Sequence, residues 1–414
     1  MRDLQLWVLP NNAYETLPTL REHLAPFRRE HPGIRVSVTV RTAASLWTHL
    51  FRLLKGPRPE PRPDVVQIPA HWTSTLANLG MLMDLGELDP GIDLGRWPAA
   101  LRDQCRLAGT PQVYSLPWWM EIRLLYYRKD VFRRAGLDPA KVLAGWEGLR
   151  EACRALARQK RSASAPLQRH PIANPNPRES VSMTDLAPCV WSRGGEFFSP
   201  DGSRCLFSRE RACRGIGDYF ELLSAGWMPL KGPSGLVPRD LFDGHCALQF
   251  SDRLPRAVSN GKVRGRAPQK LLDEVGAVPL PGDPGTTLLA AQHLAVLRDT
   301  ESPREAYALL RELVDGRAAA AYARAIGALP AKEGADAKVL EEFPEFKEAF
   351  ALSFQRARML PNLGVMGTLE KVFDRSMEQL VRDVVRKTFS PQALRQELIH
   401  AAAEMDFIMS LRDQ

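Results

Sequence analysis

The sequence predicts an α/β fold whose sheets are covered by helices. Three observations lead there. Strand-like and helix-like segments alternate through the first eighty residues with short turns between them, the pattern of a parallel sheet with crossover helices. The chain has 414 residues, 44% of them hydrophobic, enough for two to three ordinary domains with large cores. The last part, from Glu341 onward, reads as almost entirely helical.

The elements follow in order. Leu4 to Leu9, "LQLWVL", reads as a strand ending at "PNN". Thr16–Glu30 reads as a helix with Leu17, Leu20, Leu24 and Phe27 on one face, closed by "HPG". Ile34–Val40, "IRVSVTV", has the two-residue period of a strand. A helix over Ala44–Leu54 is followed by the turn "GPRPEPRP". "DVVQIP" then reads as a short, wholly buried strand of the parallel type. "HWTSTLANLGML" reads as helical. "VYSLPWWMEIRLLYYRKD" is strand-rich, and "VFRRAGL" and "GWEGLREACRALARQ" are helices. Lys160–Glu179 is proline-rich and reads as loop. "DLFDGHCALQFSD" reads as helix end, turn and strand. "EVGAVPLPGDPG" is a strand entering a turn, and "SPREAYALLRELVDGRAAAAYARAIG" an amphipathic helix pair.

Composition narrows the function. The net charge is +8. The basic residues are spread along the chain, with no clustered run, so a nucleic-acid or other polyanion surface is not expected. No apolar run is long enough to span a bilayer. The N-terminus, "MRDLQLWVLPNN", lacks the pattern of a secretory leader. The six cysteines, Cys105, Cys153, Cys189, Cys205, Cys213 and Cys246, form no CxxC pair and have no histidines at metal spacing, so no metal and no cofactor is expected. Cys205 and Cys213 are close enough in sequence to bridge a local loop, or are small buried hydrophobes like the rest. There is no GxSxG, HExxH or GxxxxGK motif, which leaves an enzyme reading only a carboxylate pair, Glu121 with Asp252.

Seven pieces, in this order, carry a resemblance: "FRREHPGIRVSV", "PDVVQIPAHWTSTLANLGMLMDLGEL", "PWWMEIRLLYYRKDVFRRAGL", "GWEGLREACRAL", "LFDGHCALQFSD", "VGAVPLPGDPG" and "GALPAK". Together they resemble the family 1 extracellular solute-binding proteins, the sugar-binding components of ABC importers, which are maltose-binding-protein-like. The resemblance implies a two-lobed periplasmic-binding-protein fold of type II. The chain would cross between lobes three times, near Ser115–Trp118, Gly276–Pro279 and Ala328–Pro330. One lobe would hold residues 1–116 and 279–328, the other 117–278 and 329–414. It further implies a carbohydrate bound in the interlobe cleft by hinge closure, delivery to the permease subunits of an ABC transporter, and no catalysis. A monomer in the periplasm or another extracytoplasmic space, with a lipid anchor open to a longer precursor, is the expected state. A ligand sensor on the same fold is the variant.

Candidate ligand contacts follow from sugar chemistry. Indoles offer flat faces to C–H surfaces, while carboxylates and guanidinium groups bond paired hydroxyls. Such charge-assisted bonds are worth about 1.5–3 kcal/mol each. Trp119, Glu121 and Arg123 alternate onto one side of their strand and are expected to face the ligand, with Trp118 on the other side. Asn11 and Asn12 follow the first strand, and His71 and Trp72 the third, where open α/β sheets place their ligands. Trp191 precedes "GG" in "WSRGGEF". Asp252 and Arg253 follow the "CALQF" strand, where the family frequently has an aromatic residue. His293 in "AAQHLAV" and Asn362 in "MLPNLG" complete the set. Were the ligand anionic, a uronate or a sugar or glycerol phosphate, Arg123, Arg193 and Arg253 would be its partners.

Overall fold

The computed structural model describes residues 2–11, 16–54, 62–107, 109–158, 170–174, 181–230, 241, 245–254, 272–282, 286–315, 317–334, 340–341 and 343–411. Asn12, most of the proline-rich turn Gly56–Pro63 and most of the expected loop Lys160–Glu179 lie outside these residues. Eleven strands are assigned among the described residues: β1 (Arg2–Val8), β2 (Ile34–Val40), β3 (Val65–Pro69), β4 (Leu116–Ile122), β5 (Leu124–Arg128), β6 (His170–Ala173), β7 (Cys246–Ser251), β8 (Val275–Val278), β9 (Thr287–Val296), β10 (Leu329–Pro330) and β11 (Ala357–Arg358). The chain divides into two compact units. The first holds residues 1–121, 290–339 and 362–366, and the second 122–289, 340–361 and 367–414. These divisions fall somewhat later along the chain than the expected crossings, and a short return to the first unit at Asn362–Met366 was not foreseen.

In the first unit the strands run in the order β10-β4-β9-β3-β1-β2. β1 pairs with β2 and β3 in parallel, with Leu4 opposite Val36 and Leu6 opposite Val65. β3 reads as a continuous apolar run because four of its five residues are buried, as a parallel strand covered on both faces requires. β9 closes on β3 in the antiparallel sense, with Val65 opposite Val296, and β10 lies antiparallel to β4. The helix Ala43–Leu53 is capped by the Thr42 side chain, which accepts from the Ser45 N–H at 3.2 Å. It buries Leu46, Trp47 and Leu50 in a cluster with Trp7, Ile68, Trp72 and Leu76. The single helix expected over Thr16–Glu30 is two, Thr16–His23 and Ala25–Glu30, because Pro26 has no N–H to continue the first ladder and suits a helix start instead.

The second unit has a sheet in the order β6-β7-β5-β8. β5 is antiparallel to β7 and β8, with Leu125 opposite Phe250 and Val278, and β6 runs parallel to β7. β6 corrects the loop expected at Lys160–Glu179. It contains Pro171, which a sheet tolerates here because β6 is an edge strand of that order. Two helices absent from the sequence reading, Met183–Ser192 and Glu210–Ser224, pack on each other. Gly215 sits so close to the Cys189 carbonyl that a Cβ there would clash with it. The C-terminal part is helical as expected, in Pro344–Gln355, Met366–Arg386 and Pro391–Ser410, apart from the two-residue β11, which pairs with the start of β9. All six cysteines are free thiols, so Cys205 and Cys213 do not bridge.

Candidate functional site

In the first unit, polar side chains gather where β1 and β3 end. The Asn11 amide donates to Gln67 Oε1 at 2.9 Å and to the Tyr322 hydroxyl at 2.8 Å. Gln67 Nε2 donates back to Asn11 Oδ1 at 2.8 Å and to Gln292 Oε1 at 3.2 Å. The Leu9 N–H also ends on Gln67 Oε1, at 3.1 Å. This mutual bonding compensates the burial of Gln67 and Asn11. Trp118 stacks on Tyr322 with ring centroids 4.7 Å apart and planes within 5°. The aromatic pair and the amide pair therefore share one residue, Tyr322, which the sequence reading missed because it lies 311 positions from Asn11.

A second buried chain links Thr73, Ser115 and His293. The Thr73 and Ser115 hydroxyls are 2.9 Å apart, and Ser115 Oγ lies 2.8 Å from His293 Nδ1. His293 has no solvent exposure, and burial, with the nearby His71, pushes its pKa down to about 3. It is a neutral structural imidazole. The Ser115–His293 pair has the atoms of a nucleophile and base, and both side chains are fully buried.

Several expected contacts are packing or framework residues. Trp72 belongs to the core cluster, edge-on to Trp47 at 4.7 Å, where a stacking platform for ligand was expected. Its indole supplies apolar area that the helix Ala43–Leu53 needs as cover. His71 is half-buried and edge-on to Trp72. The Asn362 amide donates to the carbonyls of Asp103 and Arg106, at 2.6 and 3.2 Å, and ties two segments of the first unit together. All seven residues of β4 are buried, so the alternation that was to separate Trp119 and Glu121 from Trp118, Met120 and Ile122 does not separate exposed from covered side chains.

In the second unit the focus is Arg123. Its carbonyl accepts from Thr287 Oγ1 at 2.7 Å, fixing the backbone between β4 and β5. Its guanidinium donates to the Thr184 carbonyl at 3.0 Å, Asp185 Oδ1 at 3.3 Å and Asp252 Oδ2 at 3.5 Å. Asp185 is held by a reciprocal cap at the start of the helix Met183–Ser192. Ser182 Oγ accepts from the Asp185 N–H, while Asp185 Oδ2 accepts from the Ser182 N–H at 3.0 Å and from its hydroxyl at 2.7 Å. One carboxylate oxygen thus secures the helix start and the other meets Arg123. The signal was present in the sequence, as "SMTD" ahead of an apolar run.

Asp252 and Arg253 follow β7 as expected. Asp252 pairs with Arg123, and Arg253 Nε lies 4.0 Å from Asp252 Oδ1. Trp191 is buried, with the Arg358 guanidinium over its ring at 4.7 Å and Glu196 holding Arg358 at 2.7 Å. Arg193 Nε meets Asp218 Oδ2 at 2.6 Å, and its Nη2 meets Glu147 Oε1 at 3.0 Å. The hydrogen bond to Asp218, with Glu147 beside it, holds Arg193 further toward the charged form, since a guanidinium that loses its proton would forfeit these pairs. Among the described residues no cluster of three or more histidine, cysteine, aspartate or glutamate side chains fits a metal ion.

Residues 22–212 match the family model for bacterial extracellular solute-binding proteins. No curated protein matches the sequence. Similar solved structures include an ABC substrate-binding protein, Lmo0181, from Listeria monocytogenes in complex with cycloalternan. It is 17% identical, with a TM-score of 0.77 over 98% of this chain and 99% of that one. Maltose-bound MalE3 from T. maritima is 19% identical, with a TM-score of 0.78 over 99% and 100%. The GacH receptor of Streptomyces glaucescens, solved without ligand and with acarbose, is 15% identical, with a TM-score of 0.76 over 99% of both chains. The chain has the fold of these type II sugar-binding proteins, as its seven sequence pieces led one to expect.

Proposed function

We propose that the chain is the substrate-binding protein of an ABC transporter. It captures a mono- or oligosaccharide between its lobes by hinge closure and hands it to membrane permease subunits. The observation that carries this reading is the fold, shared along nearly the whole chain with proteins solved holding maltose or cycloalternan. It works as a monomer outside the cytoplasm, without nucleic acid and without chemical turnover. Among the described residues no helix is long and apolar enough to cross a membrane.

Asn11, Trp118, Trp119 and Glu121 of the first unit and Arg123, Trp191, Asp252 and Arg253 of the second are the proposed contacts. They supply indole faces, a carboxylate and amide or guanidinium donors, the groups that a polyol needs. The charge balance favours a neutral sugar over an anionic one. Two of the three arginines expected to meet an anion, Arg123 and Arg193, each already sit between two carboxylates.

The test is thermal unfolding against maltose, longer maltooligosaccharides, cycloalternan, glucuronate and glucose 6-phosphate at two salt concentrations. A neutral saccharide at about 100 times its dissociation constant adds roughly 2.7 kcal/mol, a shift of a few degrees. Asp252→Asn, a partly exposed position, should weaken that shift. A response to the anionic compounds alone, fading at high salt, would reverse the ligand assignment. Hydrolysis of an oligosaccharide during the assay would replace the binder with an enzyme.

A further inference from the structure

The amide cluster at the ends of β1 and β3 has a direction, and a backbone group sets it. The Leu9 N–H can only donate, and it ends on Gln67 Oε1 at 3.1 Å. Gln67 is fully buried, so a reversed amide would set an NH2 group against that N–H with no water to relieve it. Gln67 Nε2 then donates to Asn11 Oδ1 at 2.8 Å and to Gln292 Oε1 at 3.2 Å, which uses both of its hydrogens. The direction passes outward to each neighbour. Asn11 gives its two amide hydrogens to Gln67 Oε1 and the Tyr322 hydroxyl, and its Oδ1 keeps one lone pair beyond the bond from Gln67. Gln292 accepts through Oε1, so its amide nitrogen is the outer end, and that nitrogen makes no hydrogen bond among the described residues.

Gln292 stands at the carboxyl end of β3. It pairs with Pro69, the last residue of that strand, and shares a sheet face with Gln67, which pairs with Leu294 two positions on. It is partly buried, whereas Gln67 is sealed. Open α/β sheets place their ligands beyond this end of their strands. We propose that Gln292 is a further ligand contact of the first unit, donating its amide hydrogens to a sugar oxygen, and that Gln67 is the positioning residue that turns it outward. The Asn11 amide, counted above with the donors, meets the ligand as an acceptor. A donor and an acceptor together suit hydroxyl groups, which both give and take a hydrogen bond, whereas an ionised carboxylate has no hydrogen to give Asn11. The inference rests on the sugar-binding reading for its ligand, and the direction of the amides stands without it.

Solvent exchange of nitrogen-labelled side-chain amides in the ligand-free chain tests the direction. The Gln292 NH2 pair, identified by its loss in Gln292→Met, should exchange at least about tenfold faster than the Asn11 pair, identified by its loss in Asn11→Ala. Equal protection of the two would mean that Gln292 turns its hydrogens inward, and would overturn the inference. Calorimetric titration with maltose and with cycloalternan tests the contact. Gln292→Met keeps the length of the side chain and removes the amide, and it should weaken saccharide binding about five- to tenfold at an unchanged urea midpoint. Affinity equal to that of the native chain would remove Gln292 from the site. The positioning role is read from a double-mutant cycle. Once Gln67→Met has released the Gln292 amide, Gln292→Met should cost less than about twofold more, whereas a Gln67 that only packs would leave the full effect in place. A native chain that binds neither saccharide would sink the sugar reading and the contact with it, while the exchange rates would still decide the direction of the amides.

Discussion

A guanidinium held between two carboxylates is the centre of the second unit, and the two halves of that arrangement are not equal. Asp185 is buried and Asp252 partly exposed, with 6% and 29% of their side chains accessible. Replacing Arg123 with Ala takes the guanidinium away from a buried carboxylate, and should cost about 3–5 kcal/mol in urea unfolding. Asp252→Asn keeps the shape and should cost less than about 1 kcal/mol. Trp119→Ala, at 1% exposure, should cost about 3–5 kcal/mol through the cavity it leaves. Binding defects in Arg123 or Trp119 variants therefore need a stability control, whereas Asp252→Asn reports on the site itself. Two other residues set pH dependence in opposite directions. His293 is held neutral when folded, with a pKa near 3, but titrates near 6.5 when unfolded. The unfolded chain binds the extra proton between those values, so stability is lost as pH falls through 6.5. Between pH 7.5 and 5.5 the native protein should lose about 1.4 kcal/mol that His293→Gln does not lose. Asp374 is the reverse case. Burial, with Glu370 beside it, raises its pKa to about 6, so the folded state holds a proton that the unfolded state releases above 3.8. Its contribution is lost as pH rises through 6, and Asp374→Asn should be more stable than the native chain at pH 7.5, with the gain gone near pH 4. Melting temperatures across that range decide both signs.

At the scale of elements, the pair of helices Met183–Ser192 and Glu210–Ser224 positions the polar groups of the second unit. One carries Asp185, the other Asp218 and Tyr219, and glycine lets them touch. Gly215→Ala would place a methyl against the Cys189 carbonyl and should cost about 1–3 kcal/mol, measured as a fall in the urea midpoint. A drop in Arg123 order alongside it would follow from the same displacement. Neither helix was read from the sequence. Pro188, which looks like a loop residue, is accommodated inside the first of them, and the cap "SMTD" went unremarked. β9 was missed for a related reason. "TLLAAQHLAV" carries little β-branching and enough Ala and Leu to suit a helix, and only its pairing with β3 makes it a strand. β1, β2 and β3 were legible because they are short, apolar or alternating, and bounded by turn residues. β2 was read residue for residue.

At the scale of the whole molecule, five of the six cysteines are buried and the sixth half-buried, all as free thiols. Burial raises the thiol pKa of each of Cys105, Cys153, Cys189, Cys205 and Cys213, that of Cys153 to about 12. A thiol-specific chromogenic reagent at pH 8 should therefore find almost no rapid reaction in the folded protein and six thiols after unfolding in urea. Four after unfolding would mean that a disulfide had formed. What the sequence determined by itself is the fold class, the alternation of the first three strands with helices, the helical C-terminal part and the order of pieces that resemble sugar-binding proteins. These are properties of neighbouring residues, because period and turn chemistry record which face of one element is covered. Only the tertiary structure decided which side chains meet. It put Asn11 on Tyr322, Ser115 on His293 and Arg123 on Asp185, pairs separated by 311, 178 and 62 positions, and it took Trp72 into the core. The physical reason is that a hydrogen bond or ion pair between distant positions leaves no period in the chain. Its partners are chosen by the packing of elements, and a buried tryptophan has the same local sequence whether its face meets a ligand or another tryptophan.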